Sequence, residues 1–289
     1  SNNLKFEPAG TYIISSSMFK VSTAGNITAS NMEITQATIR GGTAANWIGH
    51  SSALSFIGGG TYNVITGSSF NSVIGSGGNN TISASSDFSS ILSGMSCSIW
   101  GNSDRSFIGA GYNNHIMSSS NMSFIGAGDT NRILYASQSA IVAGQYNRIE
   151  GGIDSPQSSL EAAFKSKYSF IGGGNSNKIY KGEGNTIVSG VFNKISGSNW
   201  AYNTGLAGDW QKECTIGGGS TNQIYGALQY WNTITGGYGN KMYGTKNAGY
   251  GMQIITSTIS GGISNSIYTT NTNGVQITAC GIAAGSSSV

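Results

Sequence analysis

"SFIGAGYNNHI" (Ser106–Ile116) is followed, after six residues, by "SFIGAGDTNRI" (Ser123–Ile133). A near-copy at so short a distance decides the architecture before any other feature is weighed, because repeats of this period stack rather than pack as a globule. Anchored on the first isoleucine, the copies stand at Ile57, Ile74, Ile91, Ile108, Ile125, Ile141, Ile171, Ile187, Ile216, Ile234 and Ile259. Their spacings are 17, 17, 17, 17, 16, 30, 16, 29, 18 and 25, so three coils carry insertions. Glycine stands three places after every anchor, from Gly60 to Gly262. Asparagine stands six places after ten of the eleven, with Cys97 as the exception, and isoleucine eight places after ten, with Met242 as the exception. A weaker copy at Ile39 precedes the series, and another near Ile277 follows it.

Within a copy, the short runs around each isoleucine are rich in β-branched residues and alternate as strands do. The G-x-x-N between them reads as a turn, with glycine at positive φ and asparagine either tolerating that region or bonding locally. A coil of 16–18 residues with two short strands and two turns is a parallel β-solenoid, or β-roll, whose rungs stack at about 4.8 Å. The fold class expected is therefore all-β and repetitive. Stacked asparagines form a side-chain ladder in one reading and plain turn geometry in the other.

The residues flanking each anchor point outward, yet they are apolar, and their sizes trade off. Phe56 goes with Gly58, Val73 with Gly75, Phe107 with Gly109, Phe124 with Gly126 and Phe170 with Gly172. Conversely, Ser90 goes with Leu92, Ala140 with Val142 and Thr186 with Val188. This describes one packing slot filled from either side. A strand apolar on both faces needs something beyond its own coil, most simply an identical neighbour around an axis. The slot turns polar late in the chain, at Thr215, Thr233 and Thr258.

Composition narrows the classes further. Of 289 residues 45 are glycine, without the every-third-place period of collagen, and only 9% are charged. No apolar run reaches the roughly 20 residues of a membrane helix, so no membrane insertion is expected within this chain. The net charge of +3 has no local basic cluster, which argues against nucleic acid as a partner. Three cysteines at unrelated spacings make neither a disulfide framework nor a zinc site, and Cys97 reads as a small buried substitute for asparagine. No metal site and no cofactor are expected.

The repeat S-x-I-x-G-G-x-x-N-x-I resembles the head repeats of trimeric autotransporter adhesins, with similar repeats in phage tail fibres and other bacterial surface fibres. The resemblance covers about 39–282. It implies a left-handed parallel β-roll, three chains wound into a homotrimeric fibre, and a role in attachment at an extracellular location, on a cell surface or a virion. The coils here are longer than the short repeats of the best-known heads. The terminal "GIAAGSSSV" offers no β-barrel anchor, so a secreted or virion-borne fibre or an excised head is expected as readily as an autotransporter. Residues 1–38 read as a stalk or neck of short strands, and 39–289 as the roll.

Insertions are placed at about 150–169, 196–214 and 243–257. The first reads as a short helix beginning at Ser155-Pro156, with Ser158 and Glu161 as a capping box. The second holds Trp200, Tyr202 and Trp210; Tyr230 and Trp231 lie in the turn before the third, which holds Tyr243 and Tyr250. Aromatic loops on a rigid scaffold are candidate receptor-binding sites for a host-cell surface or a glycan, and the competing reading is that these rings cover the roll or pack between subunits. No catalytic residues are assigned. His50 and His115 are far apart, and His115 occupies a slot filled elsewhere by Arg132, Lys178 or Lys194. The carboxylates Glu150, Asp154 and Glu161, or Asp209 and Glu213, keep a glycan-cleaving tail-fibre or tailspike segment as the alternative. The leading expectation is an adhesive, structural fibre module that is not an enzyme.

Overall fold

The computed structural model describes residues 39–40, 46–49, 51–151, 166–197, 211–226, 229–244, 246–247, 250–251, 253–269 and 276–286. Among these there is no helix, and Gln36–Val289 falls in one compact unit. Two long parallel sheets run its length. The first has 13 strands, from Ile39–Arg40 to Gly281–Ile282, and carries the anchor isoleucines. The second has 12, from Trp47–Ile48 to Ser266–Thr269, and carries the isoleucines eight places later. At the standard strand separation, thirteen rungs make a rod about 58 Å long.

Each strand is only two to four residues long in these sheets, because a corner follows at once. Stacking in register turns this brevity to use. Ile125 pairs with Ile108 on one side and Ile141 on the other, and Ile133 likewise with Ile116 and Ile149. The isoleucines of the two columns from Ile57 to Ile259 are fully buried, and the columns meet in one continuous core. A β-branched side chain held at one rotamer stacks on its own copy without loss of fit.

Corners demand left-handed backbone. Gly128 has φ 106, and a Cβ there would strike the Gly144 carbonyl oxygen of the next rung. The asparagine takes another role than tolerating positive φ. The residue before it adopts that conformation (Tyr62 at 56°, Thr130 at 57°), and the asparagine turns inward. Asn131 Nδ2 donates to Ala127 O at 3.1 Å within its rung and to Gly144 O at 2.8 Å in the next. Its Oδ1 accepts from the backbone of Asn147 at 3.0 Å. The asparagines do stack, but each bonds to backbone rather than to the next amide. Both polar atoms of this buried side chain are thereby satisfied.

A second polar ladder lies inside, built from the serine that opens the repeat. Ser106 Oγ accepts from Ser123 N at 3.2 Å and donates to Ser120 O at 2.9 Å, and both serines are buried. Further along, the same column continues as Asn185, Cys214, Asn232, Ser257 and Cys280; Cys214 N, for instance, donates to Asn185 Oδ1 at 3.0 Å. Cys97 sits in the asparagine ladder, with its N bonded to Asn80 Oδ1 at 3.0 Å. All three cysteines are free thiols in ladder slots.

Three expectations need correction. Each coil has a third, closing side as well as two strand sides. That side becomes β-paired from Ala136–Ser137 onward and forms a four-stranded sheet from Gln211–Lys212 to Gln276–Thr278. At the N-terminal end Ile39 pairs with Phe56, so Arg40 and not Ile39 holds the anchor register. At the other end Ile277 belongs to the closing side, opposite Ile254, and the anchor copy is Ile282, opposite Ile259.

The coil resumes its register across each interruption. Glu150 pairs with Tyr180 although 30 residues separate them, and Ser166 Oγ donates to Glu150 O at 2.9 Å. The segment read as a helix, and Asp154 and Glu161 with it, lie outside the described residues. Near the third interruption, Lys246–Asn247 and Tyr250–Gly251 form a small antiparallel pair.

Candidate functional site

With the interior filled by isoleucine and by three polar ladders, the third running from Ser52 through Ser69, Ser86 and Ser103 to Ser120, function is left to the outward rows. Trp200, Tyr202 and Trp210 lie outside the described residues, as does His50. Tyr230 and Trp231 are placed, and by the regular coil rather than by an insertion. Tyr230 ends a closing-side strand and is half-buried. Trp231 takes the positive-φ corner (φ 51) three residues before the anchor Ile234, a slot that points outward in every rung. Leu54, Phe88, Met122 and Tyr168 occupy it elsewhere, all exposed. Trp231 is 54% exposed, and its Nε1 donates to Glu213 Oε2 at 2.8 Å. The two rings meet at 6.0 Å, tilted by 45°. Trp231 thus offers a large, exposed apolar face whose own N–H is already bonded.

The outward row of the first sheet carries the slot read from the sequence. Phe107 and Phe124 stack at 5.5 Å with planes 3° apart. A Cβ on Gly126 would lie 3.2 Å from Cε1 of Phe124, and one on Gly58 would lie 3.1 Å from Cε1 of Phe56. The ring therefore lies across the glycine two places on, which is why large residues alternate between the two positions. In the single chain this row is open: Phe56 and Phe124 are each 39% exposed, Leu92 51% and Val188 49%. Thr186, Thr215, Thr233 and Thr258 continue it in register beyond Phe170.

No protein-family model and no curated protein matches the chain. Its chemistry is therefore read from its own rows.

The outward row of the second sheet differs in kind, and the sequence shows only part of it, as the slot that His115 shares with Arg132, Lys178 and Lys194. His115, Arg132, Arg148, Lys178, Lys194, Gln223 and Lys241 fall in register on successive rungs. Two places later on the same strands stand Tyr180, Tyr225, Tyr243 and Tyr268. Tyr243 stacks on Tyr225 at 5.1 Å and on Tyr268 at 5.8 Å, so it belongs to the regular coil and not to the third insertion. Lys178 Nζ lies 5.0 Å from the centre of the Tyr180 ring. Glu150 is the carboxylate of this face, bonded to Arg148 at 2.8 Å and within 3.5 Å of Lys178.

His115 is packed into this row. Its Nδ1 meets Ser98 Oγ at 2.5 Å and its Nε2 meets Asn113 Oδ1 at 2.8 Å. Burial first, and the Arg132 charge second, hold its pKa below the ordinary histidine value. Burial also raises the Cys97 thiol, and pushes the Cys214 thiol up to about 12. Neither is poised as a nucleophile. Of the carboxylates weighed as a glycosidase pair, Glu150 is tied to two cations and Glu213 to Trp231, while Asp209 lies outside the described residues.

Proposed function

We propose that the chain is an adhesive module of a homotrimeric fibre, presenting outward aromatic residues to a cell-surface or glycan receptor. The observation that carries this reading is the first sheet's outward row. Phenylalanine, valine and leucine run along it in register, exposed in the single chain, where a soluble rod would ordinarily place polar residues. A straight apolar row parallel to the rod axis is complementary to its own copy, so association around that axis buries it on every rung at once. Self-complementarity calls for a like partner; three is the number that the resemblance to adhesin heads supplies. With that row turned inward, Trp231, in the exposed corner row it shares with Leu54, Phe88, Met122 and Tyr168, and the insertion residues Trp200, Tyr202 and Trp210 are the receptor contacts of this reading, at a surface or virion location.

Attachment tests the reading. Trp231→Ala, and separately Trp200→Ala with Trp210→Ala, are expected to weaken binding to host cells or a glycan array by about 1–3 kcal/mol per ring at each site, multiplied by avidity. The melting temperature and the oligomer should be unchanged. Variants that melt early or dissociate would make these rings structural cover and move the receptor site elsewhere.

A further inference from the structure

We propose that the outward face of the second sheet binds a linear acidic polysaccharide, lying along the rod with its charges on the cation column. The inference deepens the adhesive reading and rests on it for the exposure of this face in the assembled fibre. Between Arg132 and Lys241, five of six successive rungs place a cation at one position, spaced by the strand separation of about 4.8 Å. Lys194 and Lys241 are exposed and have no carboxylate partner among the described residues. Arg132, Arg148, Lys178, Lys194 and Lys241 less Glu150 give this column +4, against +3 for the whole chain, so the remainder is −1, and Lys181 Nζ adds a further cation 5.3 Å from the Tyr180 ring. The chain's excess charge therefore lies on one strip.

A strip of this kind suits a polymer. A single small anion meets one or two half-exposed cations, each worth little in water. A chain bearing an anion on each sugar advances by about one rung per unit and meets them all, so each contact raises the effective concentration for the next. The tyrosine column adds hydroxyls and ring edges along the same line, groups that bond sugar hydroxyls. Single-stranded nucleic acid fits less well, because base stacking needs free ring faces and Tyr243 has both of its faces covered by neighbours. Duplex DNA places phosphates about every 3.4 Å of axis on each strand, and they wind away from a straight column.

The full chain, wild type and Lys194→Gln/Lys241→Gln, would be titrated with heparin, polygalacturonate, neutral dextran and a duplex DNA across a range of salt. Both lysines are exposed, so the variant should keep its fold, its mass in solution and its tryptophan-dependent attachment. The wild type is expected to bind heparin or polygalacturonate and not dextran. The variant should bind roughly tenfold more weakly or worse, with a salt slope reduced by about two. Preference between the two acidic probes assigns sulfate or carboxylate as the anion. Equal binding by variant and wild type, equal retention of dextran, or tighter binding of DNA would overturn the inference. Loss of acidic-glycan binding with cell attachment intact in the wild type would sink this inference alone, whereas loss of attachment with polyanion binding intact would sink the adhesive reading.

Discussion

The outward faces of the two long sheets stand on one backbone repeat and one isoleucine core, and they differ in almost everything else. The first presents stacked phenylalanine, leucine and valine; the second presents arginine, lysine and tyrosine. Inside, both sheets use the same side chain because the coil has one cross-section and one register. Outside, the fold dictates only the direction of each side chain, so the chemistry of a row reports what the row meets. An apolar row on a thin rod suits a protein partner, and a charged row suits solvent or a charged partner.

The largest expected effect tests what the faces share. Asn131→Ala removes two donated and one accepted bond from a buried slot and strands the Asn147 N–H and the Ala127 carbonyl, while Gly144 O keeps its bond from Asp129 N. Each unsatisfied buried group costs about 1–3 kcal/mol, so the melting temperature should fall sharply. Little change by calorimetry would mean that water repairs the ladder.

Phe124→Ala separates the faces. On an isolated rod, a ring 39% exposed should cost only about 1–2 kcal/mol, whereas a ring buried against a partner should cost about 3–5 kcal/mol. Denaturant unfolding at several protein concentrations distinguishes the two, and the larger figure is expected. Gly126→Leu should be about as harmful, because its Cβ would press on the Val142 carbonyl oxygen and crowd the Phe124 ring. A neutral result there would show that the two positions do not share a packed space.

How much of this was legible depends on how far apart the partners lie in sequence. The isoleucine, glycine and asparagine positions recur within one copy, so period alone exposed the coil, the slot and Cys97's place in the ladder. The cation column was legible only in part: spacing alone puts Arg132, Lys178 and Lys194 in the slot of His115, but it does not add Arg148 and Lys241 or set the five on one face. They come together only once insertions are looped out and register is known. Tyr243 was assigned to an insertion for the same reason. The register at Ile39 and Ile277 misled because isoleucine alone does not say which side of the coil it serves; Gly285, three places after Ile282, marks one end, and Asn46 and Ile48, six and eight places after Arg40, mark the other. The closing side carries serines in place of a β-branched run in its early rungs, and so gave no strand signal.

The smallest expected effects come from the titrating groups. The folded chain resists protonation at His115, while the unfolded chain takes up a proton near pH 6.5. Stability from this site is therefore complete above that pH and declines as pH falls through it. Melts at pH 8 and pH 5 should differ less in His115→Gln than in the wild type, and an identical difference would remove His115 from the account. A thiol-labelling time course should mark half-buried Cys280 before Cys97 and Cys214, which are fully buried. Early labelling of Cys214 would contradict its place in the ladder.

The account turns on what covers the first sheet's apolar row, and mass in solution addresses that most directly. Light scattering at micromolar concentration, with denatured mass for comparison, is predicted to give three times the 29.8 kDa of one chain. A stable particle of 29.8 kDa would leave Phe56, Leu92, Phe124 and Val188 facing water, and would contradict the trimeric fibre.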